Sequence, residues 1–366
     1  MIIVTIISIG ILVALYKAFT IDLTFSPRQK ISLLLLGLGG VLFLIVSSSP
    51  TAVVNSLVGT ENIWFGVFAL AFTHYIICSV VAFLFSKYRQ QIVFGTFVIL
   101  ILTSFYSIFN GLRIPIVKEI HLEMAKLLGK LEGFTIVQLS DLHLGGVAKP
   151  KWLEQVVKKV NGLHPHLVAI TGDLIEGYGW QENGKPYAET LKKLKSIHGV
   201  YAVSGNHDVY EGGKSFFDII KEAGITFLNN QAVNVAGGIQ LAGVCDPDGK
   251  SHNGPGVDID KALKNIDPSL PVIFLSHRPE YFRAAREYGI DLQLSGHTHA
   301  GQITPIDLLV SLLYYHPYGL YQEVDSYIYT SYGTSVMGVP MRLFSQNEIV
   351  KIVLTRQKFE RKNIIK

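Results

Sequence analysis

The chain has 366 residues, of which 49% are hydrophobic and 16% charged, and a formal net charge of +4. That length leaves room for two structural units, since domains usually run about 100–200 residues. The charge excess is small and no run of Lys and Arg interleaves with aromatics, which speaks against nucleic acid as a partner. The two cysteines, Cys78 and Cys245, lie in different parts of the chain, which speaks against a structural disulfide.

Nearly all the hydrophobic excess precedes Arg113. Four apolar stretches there, at 2–16, 31–46, 63–85 and 92–109, approach or reach the roughly 20 residues that cross a bilayer as a helix. Polar, turn-forming segments at 26–30, 47–50 and 86–90 separate them. The first stretch lacks the basic flank and small-residue cleavage site of a signal peptide, so all four read as retained spans. Lys17, Arg28 and Lys30 in the first loop, and Lys87 and Arg89 in the third, mark these loops as cytoplasmic; the second carries only Glu61. Both termini then face outward, although Arg113 and Lys118 pull the other way. His74 in the third stretch reads as a neutral histidine bonded to a neighbouring helix, because no carboxylate shares the spans. The expected organisation is an anchor at 1–112, a linker at 113–133 and a globular unit at 134–366.

From Phe134 the pattern becomes strand, turn, helix, repeated. Apolar runs at 134–139, 167–170, 200–203, 272–275 and 290–294 read as buried strands, and 151–160 and 187–196 as helices. Each strand leads straight into a polar group: Asp141 and His143; Gly172-Asp173; Gly205-Asn206-His207-Asp208; His277; and Gly296-His297-Thr298-His299. In α/β sheets ligands bind beyond the carboxyl ends of strands, so these clusters can converge on one point. The i, i+2 spacing of Asp141 with His143, and of His297 with His299, would send both side chains to one side of an extended backbone. Imidazole, carboxylate and amide oxygen without thiolate suit divalent ions such as Mn, Fe or Zn. Any one of these motifs alone is more often a turn or a cap. His121, His164, His166, His198, His252 and His316 read as ordinary loop or structural residues.

Taken in order, Asp141-x-His143, Gly172-Asp173, Gly205-Asn206-His207-Asp208, His277 and Gly296-His297-x-His299 resemble the motif series of the calcineurin-like metallophosphoesterases, over about 134–355. The run Gly296-His297-Thr298-His299-Ala300-Gly301-Gln302 and the apolar N-terminus resemble a bacterial branch. It includes membrane-anchored and cell-wall-associated phosphoesterases and relatives that cleave the pyrophosphate of UDP-diacylglucosamine. The resemblance implies an α/β fold, a four-layer αββα sandwich, here preceded by a bundle of about four transmembrane helices. It also implies two divalent metals, one held by Asp141, His143 and His299, the other by Asn206, His277 and His297, with Asp173 bridging. A metal-bridging hydroxide would attack phosphorus while His207 assists the leaving oxygen and Asp208 orients His207.

The activity so implied is hydrolysis of phosphate ester or pyrophosphate bonds in a phosphorylated small molecule or a lipid-linked or envelope substrate. The expected location is the cell membrane, multi-pass, with the catalytic part extracytoplasmic. A protein phosphatase is the runner-up, disfavoured because Asp208 stands where that branch has Glu; a non-catalytic membrane sensor would usually have lost a ligand. Arg278 reads either as a phosphate contact or as half of an ion pair with Glu280 or another carboxylate, and Glu176 as a solvated loop charge. Asn347 stands where the branch often has proline. The apolar stretch at 303–321 reads as a lid or a docking surface for lipid, or as a helix packed on the sheet.

Overall fold

The computed structural model describes residues 58–176, 184–210, 213–251 and 256–356. The first two expected spans lie outside them. The described residues fall into two compact units.

The first unit holds the helix Val58–Leu84 and the helix Arg89–Leu112 as far as Asn110, together with the segments Ile303–Pro305 and Gly338–Leu343. Its apolar windows, Ile63–Leu84 and Ser86–Leu112, are long enough to cross a bilayer and each is only 6% buried, whereas the core helix of a soluble protein would be mostly covered. Phe83, Phe94, Phe105 and Phe109 stand exposed on them. His74 bridges the pair as expected. Its Nδ1 lies 2.8 Å from the Leu70 carbonyl and its Nε2 3.4 Å from the Thr103 hydroxyl, so Nδ1–H donates along its own helix and Nε2 faces the neighbour. The segment Gly338–Leu343 is fastened to the same helices. Arg342 N–H donates to the Ser107 carbonyl (2.9 Å) and Asn110 Nδ2 to the Arg342 carbonyl (3.1 Å).

In the second unit the strands are β1 (Ile116–Glu123), β2 (Phe134–Leu139), β3 (Leu167–Thr171), β4 (Val200–Val203), β5 (Thr226–Phe227), β6 (Gln231–Val235), β7 (Ile239–Gly243), β8 (Val272–Leu275), β9 (Leu292–Ser295), β10 (Gly319–Glu323), β11 (Ser326–Thr330) and β12 (Glu348–Thr355). They form two six-stranded sheets, ordered β1-β12-β2-β3-β4-β5 and β10-β11-β9-β8-β7-β6. β2 and β3 are buried at every residue, which is why they read as mostly apolar runs. Alternate residues serve different layers: Val137 and Leu139 pack outward, against helices, while Ile136 packs inward with Leu241, Ile273 and Leu294 of the second sheet. The helix Pro150–Asn161 buries Leu153, Val156, Val157 and Val160, and Lys214–Ala223 buries Phe216, Ile219, Ile220 and Ala223, both at helical spacing. On the far face of the second sheet Phe274 and Ala242 meet Leu263 and Phe282 from two short helices. The layers run helix, sheet, sheet, helix.

Residues 113–133, expected as a linker, contain β1, which pairs in parallel with β12 so that Ile120 faces Ile352 and Leu122 faces Leu354. Its partner is more than 200 residues away in sequence, and an alternating run that short gives little local sign of it. Asn347 finds a use that proline would not supply: its Nδ2 donates to the Gly111 carbonyl at 2.8 Å.

Glu348, 1% exposed, ties the sheets together. Its carboxylate accepts from the Tyr329 hydroxyl of β11 (2.8 Å), the Ser331 hydroxyl (3.3 Å) and the Tyr332 amide (3.0 Å). Removing it orphans buried donors, so Glu348→Ala should destabilise this unit by about 1.5–3 kcal/mol. Glu119→Ala, which removes an exposed pair with Lys351, should cost less than about 1 kcal/mol. Denaturation midpoints of the two variants check the contrast, and equal shifts would refute it.

Candidate metal centre

The residues singled out from the sequence lie in the second unit, on loops that leave β2, β3, β4, β8 and β9 at their carboxyl ends. The backbone ladder continues past the strands: Asp141 N–H donates to the Gly172 carbonyl, and His143 N–H to the Asp173 carbonyl, both at 3.0 Å. The two loops are therefore held in register with each other. The expected extended backbone is absent. Asp141 (φ 53°), His143 (42°), Asp173 (49°), His297 (74°) and His299 (51°) all occupy the left-handed region. Such conformations cost of order 1–3 kcal/mol each for residues other than glycine and persist only where the surroundings enforce them. The i, i+2 pairs thus converge through tight left-handed turns. Gly172, at φ 87°, makes room: a Cβ there would stand 2.6 Å from His277 Nδ1.

Two groups of donors result. In the first, Asp141, His143 and His299 offer atoms within 4.8 Å of one another. His143 Nε2 lies 3.0 Å from His299 Nε2, and His299 Nε2 lies 3.3 Å from Asp141 Oδ1. In the second, Asn206 Oδ1 lies 3.2 Å from His277 Nε2 and 3.0 Å from His297 Nδ1. Asp173 Oδ2 stands between the groups, 3.2 Å from His277 Nε2 and 3.7 Å from His143 Nε2.

The orientation of these side chains is fixed from behind. His277 Nδ1 is 2.9 Å from the Thr171 carbonyl, so Nδ1–H donates there and Nε2 is turned to the centre. Asn206 Nδ2 donates to the Tyr210 hydroxyl at 2.7 Å, leaving its carbonyl oxygen inward. Nitrogen and oxygen ligand atoms thereby converge across about one hydrogen-bond length, an arrangement that a shared cation satisfies. His143 Nδ1, buried without a hydrogen-bond partner, has the Glu176 carboxylate 3.6 Å away. The donor set fits two divalent cations sharing Asp173.

Electrostatics agree with this geometry. Burial would raise the Asp141 and Asp173 carboxyls, but the imidazole charges beside them, His299 and His277 respectively, hold both well below the usual range. Burial works against the charged form of His277 as well, yet the Asp173 carboxylate pushes it up to about 10. Burial brings His143 and His297 down to about 3, leaving them neutral donors.

Some roles differ from expectation, one alternative is resolved, and others were missed. Asp208 acts on His207 through the backbone and not through its ring: its carboxylate accepts the backbone amides of Leu174 (2.9 Å), Ile175 (3.1 Å) and Gly205 (2.8 Å). Burial and the adjacent Asp173 charge push its carboxyl up to about 8, against the amides that favour the anion. Arg278 is an ion-pair partner, bidentate on buried Asp246 (2.9 and 3.1 Å) and bonded to Asp248 (2.8 Å), not to Glu280. Glu176 approaches His143 and is only 21% exposed, so it is no free loop charge. Tyr210 and the Thr171 carbonyl carry no sequence signal, because their work is to aim another residue's ligand. His207 stays half-buried with its ring edge-on to that of His143, centroids 4.9 Å apart, and its amide donates to Asp173 Oδ1 at 2.9 Å.

A family model described as calcineurin-like phosphoesterase matches residues 134–301, the segment that holds every one of these ligands. An uncharacterized metallophosphoesterase of Helicobacter pylori (strain J99) is 38% identical over 67% of this chain and 65% of its own length. A transmembrane protein with metallophosphoesterase domain from Danio rerio is 33% identical over 73% of this chain and 63% of its own. An uncharacterized metallophosphoesterase of Aquifex aeolicus is 34% identical over 60% of this chain and 84% of its own. The chain thus spans about two thirds of the length of the first two of these relatives and most of the third. On the motif order, the strand-end geometry and these similarities together, the chain belongs to the calcineurin-like metallophosphoesterase family.

Proposed function

We propose that this chain is a membrane-anchored, metal-dependent hydrolase of phosphate ester or pyrophosphate bonds, acting on lipid-linked or envelope substrates. The observation that carries the reading is that Asp173 Oδ2 and Asn206 Oδ1 each lie 3.2 Å from His277 Nε2, while Asp173 Oδ2 also lies 3.7 Å from His143 Nε2 on the other side. Asp141, His143 and His299 would hold one divalent ion, Asn206, His277 and His297 a second, and Asp173 both. When bound, such ions neutralise phosphoryl oxygens and acidify a water for attack on phosphorus.

The chain's own residues do the rest. Asp208 fixes the turn after β4 by gathering three backbone amides, and so sets where Asn206 and His207 emerge. His207 is an imidazole beside these residues that keeps solvent access, and burial lowers its proton affinity. An arriving phosphate anion raises that affinity again, so His207 gains a proton on binding and delivers it to the leaving oxygen.

On a panel of phosphomonoester, phosphodiester and pyrophosphate substrates, the full chain supplied with Mn, Fe or Zn should hydrolyse at least one class. His207→Asn should keep its metal content and lose about 10²–10⁴-fold in turnover, the range for a missing proton-transfer group. Inactivity of the metal-loaded wild type on every class would refute the reading, and loss of metal in the variant would make His207 a ligand.

The anchor reading rests on the two exposed, membrane-length helices and on the transmembrane relative. Multi-pass topology with an outward hydrolase unit follows from Lys87 and Arg89 between those helices and from Lys17, Arg28 and Lys30 before them. A cysteine at exposed Lys185 tests it, once Cys78 is replaced; Cys245 is buried. A membrane-impermeant thiol reagent should label Lys185→Cys in whole cells before lysis, whereas labelling only after permeabilisation would reverse the orientation.

A further inference from the structure

The helix Ile306–Leu313 has no buried residue. Leu308, Leu309, Leu312 and Leu313, at i, i+1, i+4 and i+5, share one face and are 60%, 54%, 83% and 78% exposed. It is therefore not packed on the sheet. Asp307 is its single charge, and Tyr315, 78% exposed, follows it with the Arg283 guanidinium 4.0 Å from the ring centre. A soluble surface rarely leaves four leucines and a tyrosine together in water.

What covers this face is indicated by the chain on either side. Pro305, which directly precedes the helix, and Leu343, which directly precedes the 83% exposed Phe344, end the two segments that belong to the unit of membrane-length helices. Both exposed apolar elements thus grow, with no spacer, out of segments built into the membrane anchor. We propose that the helix Ile306–Leu313 inserts its leucine face into the lipid bilayer as an interfacial element, with Tyr315 and Arg283 at headgroup level. The proposal rests on the membrane-anchored reading above and sharpens its substrate class. Tyr314, at the end of the helix, meets the His297 ring edge-on at 6.0 Å. Seating the helix in lipid therefore holds a ligand of the candidate centre near the headgroup layer, where the phosphate of an amphiphile resides.

The test is nitroxide accessibility in the full chain reconstituted in phospholipid bilayers, which needs no catalysis. Wild type is labelled at Cys78, in the first described helix; a second protein, Cys78→Ala with Leu312→Cys, is labelled at 312, while Cys245 stays buried and unreactive. Both labels should relax faster with oxygen than with a water-soluble nickel complex, the Cys78 label more strongly. A nickel-accessible label at 312, with Cys78 still oxygen-accessible, places the helix in water and overturns the proposal while the anchor stands. A label at 312 shielded from both reagents means a protein covers the face, another copy or a partner, and equally overturns it. Nickel access at Cys78 removes the anchor itself.

Discussion

The structure of the site depends on one constraint: two fully buried carboxylates, Asp141 and Asp173, kept ionised with imidazoles as their nearest counter-charges. Burying a charge costs several kcal/mol unless it is paired. Burial disfavours the charged form of His277, yet the Asp173 carboxylate pushes it up to about 10, so the two make a charge pair. To act as a ligand it must surrender that proton, so metal affinity should rise with pH and weaken in acid.

The fold makes this arrangement tolerable. Five candidate ligand residues have left-handed backbones: the parallel ladder extended beyond β2 and β3 and the turn amides gathered by Asp208 hold Asp141, His143 and Asp173, and the His297 amide donates to the Asp141 carboxylate. Close approach matters as much as strain. A Cβ on Gly205 would collide with the Asp173 carboxylate, and one on Gly296 with Ser140 and the Asp141 carboxylate. The outer helices and the inter-sheet core, anchored by Glu348 across the two sheets, supply the rigidity that fixes the loops.

Much of this was legible in the chain. β2, β4 and β8 begin and end where they were read, because each is a mostly apolar run closed by a polar turn. The metal-ligand candidates were legible because each follows such a run. What escaped depends on long-range partners. β1 is defined by β12, Asp208 by amides more than 30 residues away, and Arg278 by Asp246. An i, i+2 motif predicts convergence correctly but for the wrong backbone, since spacing alone does not distinguish an extended strand from a left-handed turn.

The central claim is that Asp173 is the shared anion of two cations, and metal stoichiometry tests it most directly. Elemental analysis of the purified full chain, after loading with Mn, Fe or Zn and removal of excess, should find two ions per wild-type chain. Asp173→Asn, which keeps the shape and removes the charge, should lose at least one and bind the remainder weakly. Two ions retained at wild-type affinity in the variant, or none in the loaded wild type, would contradict the account.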